Sequence, residues 1–259
     1  MRLMKPKLQQ LRFVLENHTY EGMLLDENKE SKGMSFSELK TIIQCSETEL
    51  LNELSELDTV KINGKWRLLE INLQYGWVLK LDTVLQEKEL ALSQVTITDI
   101  MDWMKDFELE AVNNKCVSMF LEESDENLHW NQMKVSRLFA VYLLRELKEI
   151  RLNDFMVSWQ QSVPEGIKTC EEQLKGIAII NMESTPSVVK YYPEFILPED
   201  VNERLQELFH TRSKWTLPDI TPYIQPLCDS RMDVNSVLTK YARLSTVNGV
   251  KYYSSKYAR

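Results

Sequence analysis

A chain of 259 residues is too long for one small helical unit, and its seven Gly and eight Pro leave little room for a disordered tail and effectively exclude Gly-dependent cofactor motifs. The net charge of −8 argues against a protein that coats nucleic acid along its whole length, yet Glu16 to Asp58 and Gln86 to Asn127 each carry eleven acids and three lysines, so the remainder sums to +8. Cys45, Cys116, Cys170 and Cys228 stand singly, with no CxxC pair, no leader-like apolar segment and no bilayer-length apolar run, so a soluble chain of the reducing cytosol or nucleus is expected.

Along the chain an amphipathic helical cluster followed by a short strand pair recurs about every sixty residues. The expected fold class is therefore mainly α with small β-wings, arranged as tandem winged-helix domains: 1–71, 72–133, 134–195 and 196–259. Each unit is small, so neighbours are expected to share apolar surface.

The first unit opens at Lys5-Pro6-Lys7 and places Leu8, Leu11 and Leu15 on one helix face. Ser35 before Glu38 and Ser46 before Glu49 predict two capped helix starts, the second a capping box. After Leu50, Leu51, Leu54 and Leu57 comes Val60 to Leu68, which alternates across Asn63-Gly64 as a hairpin does. In the second unit, helices are expected over Leu73 to Leu85, from a Thr98-Asp99 cap through Phe107, and from Leu109 to Leu121, with a lone strand at Leu128 to Met133.

The third unit begins with a helix whose apolar face holds Val135, Leu138, Phe139, Tyr142, Leu143 and Leu147. Asn153 is expected to cap a helix bearing Phe155, Met156 and Trp159 that stops at Pro164-Glu165-Gly166, and Thr169 to start a short helix to Leu174. Strands at Ile177 to Ile180 and Ser187 to Tyr192 flank Pro186. In the fourth unit, Leu197-Pro198-Glu199-Asp200 starts a helix with Leu205 and Leu208 inward, Leu217-Pro218-Asp219-Ile220 opens the next, and Val234, Val237, Leu238 and Tyr241 line the third. Val247 to Tyr253 repeats the Asn-Gly hairpin, about 185 residues after the first.

Several stretches carry a family resemblance. They are Trp159-Gln160-Gln161-Ser162-Val163-Pro164-Glu165-Gly166; Leu197-Pro198-Glu199-Asp200 with Arg204; Lys214-Trp215-Thr216 through Asp219-Ile220 to Pro222-Tyr223-Ile224-Gln225 and Leu227-Cys228; and Leu238-Thr239-Lys240-Tyr241 with Asn248-Gly249-Val250-Lys251. Pro6-Lys7-Leu8, Tyr20-Glu21-Gly22 and Gly64-Lys65-Trp66-Arg67 fit the same pattern. The chain resembles the sister chromatid cohesion subunit of the alternative, replication factor C-like clamp loader that acts on the sliding clamp PCNA. The likeness is specific in the C-terminal half and thin between Asn72 and Met133. Family members carry three winged-helix domains where the residues here read as four, and an N-terminal β-barrel module that nothing here resembles, so the chain is expected to correspond to the C-terminal portion alone. The resemblance implies a nuclear, non-catalytic adaptor that binds DNA, single- or double-stranded, together with other clamp-loader subunits and the catalytic part of the leading-strand polymerase, with no membrane partner.

The candidate DNA-binding residues are Lys240, Arg243, Lys251, Tyr252, Lys256 and Arg259. Between Arg231 and Arg259 six basic residues face the single acid Asp233, and Lys240 with Arg243 is expected to share the outer face of the third helix, with Lys251 on the wing. Tyr252, Tyr253 and Tyr257 can stack on bases. Arg2, Lys5, Lys7 and Arg12 form a smaller basic group, whereas Glu47, Glu49, Glu53 and Glu56 should repel a groove. His18, His129 and His210 stand alone without metal-ligand spacing, and no Ser or Cys nucleophile is set against a base, so no catalytic residue, metal or cofactor is expected. The six tryptophans read as packing residues. Charge alone leaves a second reading open, a winged-helix protein scaffold in a multi-subunit assembly without DNA contact.

Overall fold

Leucines spaced four apart make helix α1 (Leu8–Glu16), in which Leu11 and Leu15 are fully buried. The computed structural model describes residues 8–25, 32–43, 45–125, 127–147, 149–182, 184–228 and 232–256. The elements gather into two compact units, one running to Leu147 and including Asn153–Gln173, the other running from Leu174 and including the segment just before Asn153.

In the first unit, α1 leads to β1 (Thr19–Tyr20), a 3-10 turn at Met23–Leu25 and β2 (Met34–Ser35). Helices α2 (Phe36–Ile43) and α3 (Glu47–Glu56) follow, then β3 (Thr59–Ile62) and β4 (Lys65–Leu69). The Ser46 hydroxyl accepts from the Glu49 N–H at 3.2 Å while the Glu49 carboxylate accepts from the Ser46 N–H at 3.1 Å, which is the expected capping box. Asn63 (φ 49°) and Gly64 (φ 82°) close the β3–β4 hairpin in the left-handed conformation that suits its twist. Strand β4 takes β3 on one edge and β1 and β2 along the other, and Leu39, Ile43, Leu50, Leu54 and Leu68 close the core beneath.

Next come α4 (Ile71–Glu87), a 3-10 turn at Leu92–Gln94, α5 (Ile97–Met104), α6 (Glu110–Phe120) and the hairpin β5 (Leu121–Ser124) and β6 (Asn127–Trp130). Two expectations are corrected here. Thr96, not Thr98, caps α5, accepting from the Asp99 N–H at 3.2 Å, and the helix ends at Met104. The expected lone strand at Leu128 to Met133 is half of a hairpin: Leu121 pairs with Trp130 and Glu123 with Leu128, while Met133 belongs to the next helix. The acid-rich strand β5 buries only Leu121, so its sequence shows no apolar alternation.

Helix α7 (Gln132–Glu146) is capped by Asn131 and buries Val135, Leu138, Phe139 and Leu144; Leu147, expected on that face, lies beyond the helix end and is 46% exposed. Tyr75 of α4 stacks on Tyr142 of α7 with centroids 3.7 Å apart, and Arg145 pairs with Glu70 at 3.1 Å. Helix α8 (Leu152–Ser162) starts one residue before its expected cap Asn153 and seats Trp159 against α7, its indole N–H donating to the Ser136 carbonyl at 2.8 Å. The short helix expected from Thr169 is a single 3-10 turn, Glu171–Leu174.

Polar staples as well as apolar surface join these clusters. The buried Glu108 carboxylate accepts from the Tyr20 hydroxyl and from the Met23 and Leu109 N–H groups. Lys115 donates to the Ser55 and Leu57 carbonyls at the C-terminal end of α3. Buried Asn113 accepts from the Trp77 indole and donates to the carbonyls of Met104 and Glu108.

The second unit carries a three-stranded sheet of β7 (Glu149–Arg151), β8 (Ala178–Asn181) and β9 (Val188–Tyr191), with β9 central and antiparallel to both. Strand β7 was not expected, since three residues alternating around Ile150 are too few to show a period. Helices α9 (Val201–Thr211), α10 (Leu217–Ile224) and α11 (Val234–Tyr241) then pack around Leu205, Leu208, Trp215, Ile220, Tyr223, Val237 and Leu238. The chain ends in the hairpin β10 (Ala242–Val247) and β11 (Val250–Ser255).

Among the described residues no helix is long and apolar enough to cross a membrane.

Candidate nucleic-acid interface

Helix α11 is capped by Asp233, whose carboxylate accepts from the Ser236 N–H at 2.8 Å; the Ser236 hydroxyl first, and then that N–H, hold the carboxyl below its ordinary range. It ends at Tyr241: Ala242 is already extended (φ −115°, ψ 159°), and its N–H closes on the Leu238 carbonyl. Arg243 is therefore a strand residue opposite Ser254, and the expected helix face shared with Lys240 is corrected. The helical period of Val234, Val237, Leu238 and Tyr241 runs out where Ala242 enters the ladder with Ser255, and no glycine marks the stop.

Register sorts the hairpin into two faces, because directly opposed residues of an antiparallel pair share a face. Arg243 and Ser254, Ser245 and Tyr252, and Val247 and Val250 lie on one; Ala242 and Ser255, Leu244 and Tyr253, and Thr246 and Lys251 lie on the other. Tyr253 turns toward the core beside Trp215, and the two exchange backbone bonds of 2.9 and 2.8 Å. Tyr253 is thus a packing residue rather than a stacking surface. The outer face keeps Arg243 exposed and Tyr252 partly exposed, diagonal neighbours on adjacent strands.

The Trp215 bridge adds a residue that sequence reasoning missed. Exposed Lys214 directly precedes Trp215 and so stands at the β11 edge of the hairpin. Nothing in the local pattern around Lys214 signals this, since the Trp215–Tyr253 bridge joins residues 38 apart.

The remaining candidates divide. Lys240 is exposed at the last turn of α11, its ammonium 4.9 Å from the centre of the Tyr241 ring. Lys251 is exposed on the opposite face of the wing from Arg243. Lys256 bends back to donate to the Thr239 and Lys240 carbonyls, where it caps the negative end of α11. Arg259 and Tyr257 lie outside the described residues, as do Arg231, Arg2, Lys5 and Lys7. At the wing tip, Asn248 (φ 51°) and Gly249 (φ 80°) form the turn, and Leu244, Val247 and Val250 are 53%, 43% and 45% exposed.

Of the acids of α3, Glu47 pairs with Lys40 at 2.5 Å, Glu49 closes the capping box, Glu53 is buried and Glu56 is exposed. His18 accepts from the Gly33 N–H at 3.2 Å. Among the described residues no group of three or more His, Cys, Asp or Glu is placed to hold a metal ion.

The resemblance motifs prove to be staples of the fold. Gln160 accepts from the Thr169 N–H and donates to the Ile167 carbonyl, holding the turn after α8. Arg204, with no solvent exposure, donates from Nε to the Pro198 carbonyl at 2.6 Å and from its two terminal nitrogens to the carbonyls of Tyr223 at 2.8 Å and Leu197 at 3.1 Å. Burial pushes its guanidinium below the ordinary arginine value, and Glu194, 3.4 Å away, works against that shift.

A family model described as sister chromatid cohesion protein Dcc1 matches residues 1–224. The chain is 32% identical over 262 residues to the sister chromatid cohesion protein DCC1 of Mus musculus, covering 99% of this chain and 66% of that one. It is 33% identical over 266 residues to the protein of that name from Danio rerio, with 99% and 67% covered. A probable sister chromatid cohesion protein DCC1 of Dictyostelium discoideum is 24% identical over 284 residues, with 98% and 75% covered. The chain spans about two thirds of the length of the vertebrate relatives it matches.

Proposed function

Since the chain belongs to the Dcc1 family of sister chromatid cohesion proteins, we propose that it is a nuclear, non-catalytic adaptor of an alternative PCNA clamp-loader complex, one that binds DNA through its C-terminal hairpin and docks the catalytic part of the leading-strand polymerase. The observation that carries the DNA half is the outer face of that hairpin, where exposed Arg243 and partly exposed Tyr252 are diagonal neighbours, with exposed Lys214 next to the Trp215 bridge at its β11 edge. Cations here suit a phosphate backbone, and Tyr252 offers a ring to a base or a fork end. The apolar tip at Val247 and Val250 suits an exposed base step.

The architecture supports the same reading. A helix, a short β-pairing, two helices and a hairpin follow in order from α1 to β4, where β1 and β2 supply the pairing, and from α9 to β11, where the Trp215 bridge does, and we read the chain as tandem winged helices in the four segments given above. Helix order with terminal hairpin makes modules for docking rather than a catalytic cleft.

Fluorescence anisotropy on labelled single-stranded and duplex DNA across a salt series tests this. Binding that weakens with salt is expected, and Arg243→Glu or Lys214→Glu should weaken it more than Lys256→Ala. A pull-down against the polymerase catalytic part tests the protein half. The second reading, a scaffold without DNA contact, is favoured by the net charge of −8 and by the engagement of Lys256 with helix carbonyls; it requires no DNA binding even at low salt.

A further inference from the structure

The first unit contains a cleft of about 660 Å³ that the DNA reading does not use. Its floor is apolar, formed by Leu85 of α4, Leu92, Leu128 of β6 and Ile167, all buried, with Trp130 partly exposed and Leu90 36% exposed at the wall. Three carboxylates stand around it, Asp82, Glu122 and Glu165, and neither lysine nor arginine is among the lining residues. We propose that this cleft docks a short basic peptide segment of a protein partner, with leucine-like side chains on the floor and one or two arginines or lysines at the carboxylate rim.

Charge complementarity selects that occupant. The volume falls within the range of sites that enclose small ligands or a few side chains, and the acidic rim repels phosphate, which excludes nucleic acid. Asp82 is already half withdrawn from water on α4, and that burial together with the charge of Glu165 raises its carboxyl above the ordinary aspartate value. A cation placed between Asp82 and Glu165 relieves both effects. Asp82 accepts from Gln86 Nε2 at 2.8 Å and Glu122 from Asn131 Nδ2 at 3.3 Å. An ionised carboxylate has about four acceptor positions, so each retains capacity for a guanidinium.

The test uses the full chain and three labelled, end-blocked pentapeptides: one alternating leucine and arginine, one alternating leucine and glutamate, and one of arginine alone. Anisotropy should show binding of the leucine–arginine peptide, with the other two at least tenfold weaker. Amide and indole NMR shifts should centre on Glu122, His129, Trp130, Gly166 and Ile167. Asp82→Asn with Glu165→Gln should weaken that binding about tenfold, whereas Glu16→Gln with Glu56→Gln, two exposed acids outside the cleft, should leave it unchanged. Matching thermal midpoints of the two double variants keep the comparison one of charge. The proposal is overturned if the leucine–arginine peptide does not bind, if arginine alone or the glutamate peptide binds as well, if the control variant weakens binding equally, or if the shifts lie elsewhere.

Discussion

Replacing Arg204 by methionine removes a guanidinium from the interior of the second unit while keeping most of its length. The Leu197, Pro198 and Tyr223 carbonyls each lose a charged donor, at distances of 2.6 to 3.1 Å. A hydrogen bond from a charged group contributes about 1.5–3 kcal/mol, but three bonds to one group are not independent, and breaking a buried ionic arrangement by removing one partner costs about 3–5 kcal/mol. Glu194 is one-third exposed and regains water, so it adds little. The expected cost is about 4 kcal/mol, a large part of the roughly 5–15 kcal/mol that holds a domain folded. With a urea slope of about 1.5 kcal/mol/M, the unfolding midpoint of this unit should fall by about 2–3 M. Trp215 is the one tryptophan in the sequence after Leu174, so its indole NMR signal reports this unit's unfolding. Arg204→Lys keeps the charge but not the fork, and should recover less than half of the loss. A midpoint for the methionine variant within 0.5 M of the parent, on the same scale, refutes the reasoning, because it would mean that the three carbonyls find other donors at no cost.

Gly33→Ala should destabilise the first unit by roughly 1–3 kcal/mol in thermal unfolding, since a Cβ there would lie 2.8 Å from the Lys65 Cβ and 2.9 Å from the Arg67 Cγ at a φ of +112°. Under native conditions a thiol reagent should modify exposed Cys170 promptly and buried Cys116 only after unfolding, because burial raises the Cys116 thiol far above its ordinary value; prompt modification of Cys116 in mass spectra contradicts its placement. Trp159→Phe should cost about 1–2 kcal/mol through loss of the buried indole bond to the Ser136 carbonyl, which keeps its place in the α7 ladder, read as lower amide protection in α7 and α8. Glu38, Asp99 and Asp233 each have a carboxyl lowered chiefly by a hydrogen bond at a helix start, to Ser35, Thr96 and Ser236. Their folded values lie below the unfolded ones, so their contribution is full above about pH 4 and disappears as pH falls through the lowered values. Glu38→Gln, Asp99→Asn and Asp233→Asn together should flatten the pH dependence of stability below about pH 4 and leave the dependence between pH 6 and 8 unchanged; an unaltered acid limb in urea titrations counts against it.

Local signals read well where the physics is local. Ser46 with Glu49, the Asn63-Gly64 and Asn248-Gly249 turns, and the face of Val234, Val237 and Leu238 stand in the structure as their spacing indicates. Where the deciding partner is distant, the spacing misleads. Glu122 and Glu123 carry no strand pattern until Leu128 and His129 pair with them. Arg243 continues a helical period that the Ser255 partner of Ala242 interrupts. The candidate site was legible as a basic tail, but not as a face.

A chain's own order of residues dictates hydrogen-bond chemistry a few positions apart, and it was enough to assign the Ser46 capping box, the Asn-Gly turns and the sign of charge in each stretch, although the caps expected at Thr98 and Asn153 lie one or two residues from the true helix starts. Pairing across long separations was decided only in the folded molecule. That is where Trp215 came to bridge Tyr253, Arg243 and Lys251 were turned to opposite faces of the hairpin, Lys256 was drawn to the end of α11, and Asp82, Glu122 and Glu165 met around one cleft. The reason is that strand register and the packing of helix faces depend on the whole set of competing contacts, whereas a cap or a turn depends on its immediate neighbours.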